Sequence, residues 1–200
     1  MKHPAAPVLI LLACIPGILP GQKPRQPPKP VVPAIALATE GLAGQAVTVL
    51  PLTMVVSDRR IPGSTGAAAR ARTMQWADSL LHDALSERAP EVNWIFPPEL
   101  RRVARRAPGL LPSPDRMGQS VMRAPNLKEM PDPLRTYVRQ LLALAGGARF
   151  ALIPASLQLS PAGGDSLKAE LSAVLTDGRV GRVVWRTLAV GTGETAADAY

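Results

Sequence analysis

Few residues of this 200-residue chain have the types and spacing that a chemical site requires. Asp78 and His82 lie four residues apart in a helical pattern, a spacing that can place two metal ligands on one helix face. The only other histidine is His3, and no further histidine or cysteine lies near the pair in the sequence, so a solvated polar helix face is the favoured interpretation. The sequence also has no Gly-x-Ser-x-Gly elbow for a serine nucleophile and no glycine loop that would hold phosphate. We therefore predict no catalytic residue, no cofactor and no metal.

A second group with chemical potential is arginine-rich. Arg101, Arg102, Arg105 and Arg106 fall on one face of a predicted helix over 99–106. The chain carries 23 Lys and Arg against 15 Asp and Glu, a formal net charge of +8 that suits anionic partners. This face is a candidate for binding lipid headgroups, lipopolysaccharide or a protein, and the alternative is a solvated face. Nucleic acid is disfavoured, because aromatic residues make up only 4% of the chain.

The N-terminus has the pattern of an export signal. Lys2 and His3 precede an apolar run over 5–19 that ends among small residues, which is typical of a secretory signal peptide. The run is shorter than the about 20 apolar residues that span a bilayer. We assign residues 1–21 to this signal and predict an exported protein, placed in the bacterial periplasm.

The single cysteine of the chain lies inside this signal. The segment Leu11-Leu12-Ala13-Cys14 resembles the bacterial lipobox. The resemblance implies that the Cys14 thiol is acylated and becomes the first residue of a membrane-anchored lipoprotein, at either the inner or the outer membrane. In the alternative, an ordinary signal peptide is cut near Gly21 and Cys14 is lost with it.

A proline-rich linker follows the signal, over residues 22–44. Its first part reads QKPRQPPKPVVP, and proline at this density favours extended polyproline II. Lys23, Arg25 and Lys29 lie in this part and suit anionic headgroups. We interpret the segment as a spacer that holds the domain away from the membrane, while a ligand for a proline-binding groove is the alternative.

Residues 45–200 have the pattern of a single α/β domain. Apolar and β-branched runs predict strands, and periodic apolar residues predict helices, in the order β-α-β-α-β-β, with the last two strands joined at Asp177-Gly178. Such alternation implies parallel pairing, and we expect a mixed sheet of four to five strands flanked by helices. The strands are predicted over 46–52, 92–96, 150–157, 167–176 and 180–190, the helices over 69–88, 99–106 and 133–145, with a helical turn near 117–122 and another helix beginning at 195–200.

Two apolar features of this domain bear on its surface. Trp76, Leu80, Leu81, Ala84 and Leu85 recur at helical spacing and predict one buried stripe on the first helix. Trp185 lies on the last predicted strand. It is a candidate either for packing on the sheet face or for an exposed docking patch.

Several segments of the domain resemble periplasmic α/β domains. They are the VTVLPL strand at 47–52, the GARFAL entry to a strand at 147–152 and the LTDGRVGRVVW hairpin at 175–185. Similar pieces occur in the N-terminal domain of the TolB translocation protein, the curli-secretion lipoprotein and the lipoprotein activators of penicillin-binding proteins. The resemblance implies a non-enzymatic envelope domain that binds or assembles with another protein. In such domains a long helix follows the hairpin, so here that helix is lacking, truncated or supplied by a partner.

The sequence thus leads to three functional hypotheses. The first is an envelope lipoprotein that acts as a protein-binding or assembly module, with an envelope protein as its partner. The second is a periplasmic enzyme with a dispersed site, which a polar pocket holding several carboxylates would favour. The third is a binder of anionic lipid or envelope polymer through the arginine helix. An apolar groove on an uncovered part of the sheet would favour the first.

Overall fold

The fold is organised around one mixed β-sheet. The computed structural model describes residues 40–164 and 166–194, in which six strands form this sheet. The strands are β1 (Ala46–Val49), β2 (Val55–Ser57), β3 (Asn93–Ile95), β4 (Phe150–Gly163), β5 (Ser166–Asp177) and β6 (Arg182–Gly193). The predicted α/β class and mixed sheet are confirmed, with one strand more than expected.

Three α-helices flank the sheet. They are α1 (Ala67–Arg88), α2 (Pro97–Arg106) and α3 (Leu134–Leu144). Short 3-10 turns lie at Glu40–Leu42, Pro114–Arg116 and Gln119–Arg123. Proline at the first position of α2 suits a helix start, because that position has no intrahelical partner for an N–H group.

The strand order combines parallel and antiparallel pairing. The order is β3-β1-β4-β5-β6, and β2 pairs with the far end of β4. All pairs made by β1 and β2 are parallel, as the helical crossovers require, whereas β4-β5-β6 is an antiparallel meander. The β6 strand and the three-residue β3 are therefore the two ends of the strand order.

The core is divided between the two faces of the sheet. A β-bulge between Pro154 and Ser156 changes the alternation of β4, so Ile153 and Leu157 belong to clusters on opposite faces. On the first face, α2, α3 and the two later 3-10 turns cover a cluster that includes Leu100, Met122 and Leu141. On the second face, α1 is the one α-helix among the described residues, and Leu42 and Ile61 from flanking segments join its clusters. One face is thus well covered, and the other is covered in part.

Several boundaries differ from the sequence-based expectation. The unexpected strand is β2, whose three residues follow Pro51 so closely that the apolar pattern merges with that of β1. Leu42, which lies within the segment expected to be linker, is buried in the core. The signal over 1–21, most of the linker and the helix expected at 195–200 lie outside the described residues.

The stripe predicted on α1 is only partly buried. Among the described residues of this helix only Ala69 and Ala77 are buried, while Leu80 and Leu81 are half-buried and Ala84 is exposed. The prediction of a fully buried stripe was therefore wrong. The physical reason is that α1 lies beside an open part of the sheet face, where no described element packs on its outer flank.

Candidate binding surface

The outer side of β6 is an open strand edge. At its start, the segment before α3 covers it, because the Val183 amide donates to the Lys128 carbonyl at 2.8 Å and Glu129 forms a bridge with Arg182. From 184 to 193 the backbone of β6 pairs with β5 alone among the described strands. On the other side of this stretch, no backbone group is paired with another backbone group of residues 40–164 and 166–194.

This edge is apolar and exposed. Val184, Leu188 and Val190 have exposed fractions of 54%, 58% and 53%. The seven residues Thr187–Gly193 include neither a charged residue nor a proline. Natural edge strands are normally protected against pairing by charge, proline, bulges or a covering element. None of these protects β6 over this stretch in the part of the chain that the structure describes.

An apolar groove lies beside this edge on the second face of the sheet. It has a volume of about 200 Å³ and runs between α1 and the β5–β6 pair. Every lining residue is apolar or glycine. The lining residues, which we call the β6 groove, are Ala77, Leu80, Leu81, Ala84, Ala169, Leu171, Ala189, Val190 and Gly191. A partner that inserts a few aliphatic side chains would fit this surface.

Trp185 lies at the closed end of the same strand. It is half-buried, opposite Leu175 on β5, and packs against the cluster that contains Leu152 and Ala173. This position matches the first of the two roles considered for Trp185, which is packing on the sheet face. The exposed apolar side chains of β6 lie at Leu188 and Val190 instead.

The four arginines of α2 do not act as one face. Arg101 points inward, where its Nη2 donates to Asp78 Oδ2 at 3.1 Å and to Asp115 Oδ1 at 2.8 Å. Arg102 forms an ion pair with Glu99 one turn before it. Arg105 and Arg106 are exposed. The structure therefore separates Arg101 from the proposed anion-binding face, which is left with Arg102, Arg105 and Arg106.

Arg101 instead joins three elements. Asp78 on α1 also accepts a hydrogen bond from the Leu52 backbone amide at 2.9 Å, and Asp115 lies in the 3-10 turn after α2. Burial raises the pKa of Asp78, against the opposing effect of its hydrogen bonds. The hydrogen bonds from Arg101 lower the pKa of Asp115. Arg101 therefore connects α1, α2 and the 3-10 turn, and both carboxylates accept hydrogen bonds from within the protein.

Asp78 and His82 do not come together as a pair of ligands. His82 packs on Phe96 with ring centroids 4.2 Å apart, and its Nδ1 lies 3.0 Å from Asp83 Oδ1. Asp78 faces Arg101 rather than His82. Within residues 40–164 and 166–194 no group of three or more His, Cys, Asp and Glu side chains is arranged to hold a metal ion.

Sequence reasoning did not identify the open edge or the groove. A signal was available, since the run TLAVGTG at 187–193 lacks the charges that protect an edge strand. The groove had no such signal, because it depends on where α1 lies relative to β5 and β6.

Among the described helices, none combines the length and apolarity needed to cross a bilayer.

Comparisons with known proteins give distant structural neighbours. The solution structure of LpoB from Escherichia coli aligns with a TM-score of 0.42 and 17% identity, over 95% of this chain and 84% of that one. Lipoprotein GNA1162 from Neisseria meningitidis aligns with a TM-score of 0.40 and 14% identity, over 74% of this chain and 83% of that one. The LpoB C-terminal domain from Salmonella enterica aligns with a TM-score of 0.37 and 15% identity, over 74% of this chain and 82% of that one.

At this distance the resemblance to the lipoprotein activators of penicillin-binding proteins, inferred from the sequence, stays a prediction. The resemblance to the TolB and curli-secretion proteins stays a prediction. No protein-family model matches the chain, and no curated protein matches it significantly. Similarity at this level does not assign a function, which has to be argued from the surface itself.

Proposed function

We propose that this protein is a non-enzymatic lipoprotein of the cell envelope that acts as a protein-binding or assembly module. The observation that carries the proposal is the apolar surface formed by the open edge of β6 and the β6 groove. Exposed apolar patches that border an unpaired strand are typical of sites where another protein docks. An apolar groove on a partly uncovered sheet, the outcome that favours the first hypothesis, is present.

The polar residues of the domain give the enzyme hypothesis little support. The polar cleft between α1 and α2 contains Asp78 and Arg101, which bind each other, and His82, which packs on Phe96. A general base or nucleophile needs a free, correctly placed group. In this cleft the buried carboxylate is already bound by the Leu52 amide and the Arg101 guanidinium.

The envelope location rests on the sequence. The signal over 1–21, the lipobox cysteine Cys14 and the proline-rich spacer support a domain held at a membrane on a stiff tether. In that arrangement the domain over 45–200 would present the β6 surface to another envelope protein. Membrane attachment through lipid on Cys14 is part of this proposal.

Site-specific photo-crosslinking in a bacterial envelope tests the binding function. We would place a photo-crosslinking amino acid at Leu188 on the open edge and at Leu80 in the groove of the full-length protein. The matched control is Leu110, which is 65% exposed but lies in the loop after α2. We expect discrete protein adducts from Leu188 and Leu80 that are absent from Leu110.

Two results would contradict the proposal. One is a lack of adducts from Leu188 and Leu80 although the folded protein is present in the envelope. The other is the same set of adducts from all three positions, which would indicate random collision with abundant neighbours.

A further inference from the structure

One end of the sheet carries a cluster of arginines. Phe150 lies opposite both Val47 and Asp177, and Asp177 lies opposite Arg182, so the starts of β1, β4 and β6 and the end of β5 form one row. The β5–β6 turn extends beyond this row, and it lines a cleft of about 240 Å³ together with α3. The arginines of this region, which we call the hairpin end, are Arg135, Arg139, Arg149, Arg179 and Arg182.

The turn at the hairpin end is fixed in position by its backbone. The Arg179 amide donates to Asp177 Oδ1 at 3.0 Å, and the Gly181 amide donates to the Asp177 carbonyl at 2.7 Å. A Cβ atom at Gly181 would lie 2.5 Å from Arg135 Cδ, so the turn packs directly on α3. The arginines of the turn and of α3 are therefore held side by side.

Three of these five arginines are not neutralised by a neighbour. Arg135 and Arg149 form ion pairs with acidic residues. The other three are exposed, and none of them forms an ion pair in the described part of the chain. This includes Arg182 and Glu129, which face each other only through a backbone bridge. The hairpin end thus has free positive charge for an anionic ligand.

An exposed aliphatic side chain lies between the two arginines of the turn. Val180 has an exposed fraction of 61%, with Arg179 before it and Arg182 two residues after it. Cations around an apolar side chain suit a membrane interface, where headgroup phosphates lie next to acyl chains. A soluble polyanion would contact the arginines but would gain little from Val180.

The chain that precedes the domain joins it at this same end. The turn Glu40–Leu42 comes just before β1, and the Gly44 amide donates to the Glu91 carbonyl at 2.8 Å. Three strand spacings separate β1 from β6, so the start of β1 lies within roughly 15 Å of the start of β6. An anchor on the preceding chain would bring this end of the sheet toward the membrane.

We propose that the hairpin end binds the anionic surface of a phospholipid membrane. Arg139, Arg179 and Arg182 contact headgroup phosphates, and Val180 enters the interface. Because β6 runs from this end toward Gly193, its open edge then points away from the membrane, where another protein can reach it. This lipid contact adds to the proposed protein binding, and only its orientation rests on the proposed anchor at Cys14.

Vesicle flotation of the full-length Cys14→Ser protein tests lipid binding without the anchor. We expect binding to vesicles of phosphatidylcholine mixed with phosphatidylglycerol, a decrease in this binding as salt is added, and little binding to phosphatidylcholine alone. Arg179→Gln with Arg182→Gln should weaken binding to the mixed vesicles by about tenfold or more.

The matched control for this pair is Arg70→Gln with Arg72→Gln. Both arginines are exposed near the start of α1, which follows β2 at the opposite end of the sheet. The change in charge is the same, yet these positions lie away from the proposed contact, so binding should fall by less than about twofold.

A fluorescent label tests the orientation. The Cys14→Ser protein has no other cysteine, so Val180→Cys or Val190→Cys can carry a polarity-sensitive fluorophore. We expect the emission at Val180 to shift to the blue when mixed vesicles are added. Val190 is 53% exposed in the far half of β6, and its emission should not shift.

Any of four results would overturn the lipid contact. They are equal binding to neutral vesicles, equal losses from the two arginine pairs, a shift at Val190 as large as at Val180, and displacement by inorganic phosphate at an ionic strength where chloride has no effect. The last would indicate a site for free phosphate. None of these results depends on the protein-binding function, which the adducts at Leu188 and Leu80 test separately.

Discussion

At the scale of single residues, charged side chains in this domain are used to connect elements. Arg101 joins α1, α2 and the following turn through Asp78 and Asp115. Arg149 at the start of β4 holds Asp177 at the end of β5, with Nε 2.7 Å from Oδ2. Burial acts to raise the pKa of Asp177, but the hydrogen bonds from Arg149 and from the Arg179 amide outweigh it, and the pKa is lowered overall.

Replacement of Arg101 should reveal how much this connection stabilises the fold. Arg101→Met removes the partner of the largely buried Asp78 carboxylate, so we expect a loss of roughly 2–4 kcal/mol in the free energy of unfolding at neutral pH. Urea denaturation of the wild-type protein and the variant measures this loss in the free energy of unfolding. The control is Arg102→Met, which breaks an exposed pair with Glu99 and should cost less than about 1 kcal/mol.

The loss caused by Arg101→Met should also depend on pH. Without Arg101 the pKa of Asp78 in the folded state rises further above its unfolded value, because burial still acts and the cationic partner is gone. A raised pKa in the folded state means that protonation favours folding, so part of the loss should be recovered as the pH falls through that pKa. An equal loss at pH 4 and pH 7 would contradict this explanation.

At the scale of elements, the β5–β6 hairpin is fixed against α3 by a close approach. The Gly178 amide donates to the Arg149 carbonyl at 2.8 Å. A Cβ atom at Gly178 would lie 2.0 Å from Leu142 Cδ1, and Leu142 is itself buried in the core. This position requires glycine because of the close contact, and its backbone needs no left-handed conformation.

Substitution of Gly178 should therefore destabilise the hairpin. We expect Gly178→Ala to lower the free energy of unfolding by about 1–3 kcal/mol, since Leu142 must leave its packed position. Thermal denaturation would measure this, with Gly41→Ala as the control because a Cβ atom there meets nothing within 4 Å. If both variants melt at the same temperature, α3 does not hold the hairpin in this way.

The sequence predicted the elements better than it predicted their packing. The long apolar runs of β4 and β5 and the proline at the start of α2 are local signals. The boundaries of β5 and α2 lie within two residues of those expected, whereas β4 continues to Gly163, six residues past its predicted end. The three-residue β2 was missed, because its pairing with β4 is a long-range contact that a short β-branched run does not reveal. The stripe on α1 was identified, but the sequence could not show that part of it faces an open groove.

The candidate site shows the same division between local and long-range information. The sequence predicted that the four arginines of α2 share one helix face, yet Arg101 is hydrogen-bonded to Asp78 and Asp115, which lie far from it in the sequence. The apolar edge was visible as an uncharged run, but an edge strand and a central strand differ only in their neighbours. Those neighbours are set by the order of the sheet.

At the scale of the whole molecule, the N-terminal sequence and the apolar surface of the domain support one proposal. We propose that the export signal and Cys14 hold the protein at a membrane, where the open edge of β6 and the β6 groove bind another envelope protein.

Intact mass and membrane partitioning, compared between the wild-type protein and Cys14→Ser in a bacterium, test this central claim most directly. We predict that the wild-type protein gains the mass of acyl chains and sediments with membranes, whereas Cys14→Ser becomes soluble. If both proteins are soluble and begin near Gln22, Cys14 belongs only to a cleaved signal. The lipoprotein assignment would then be wrong.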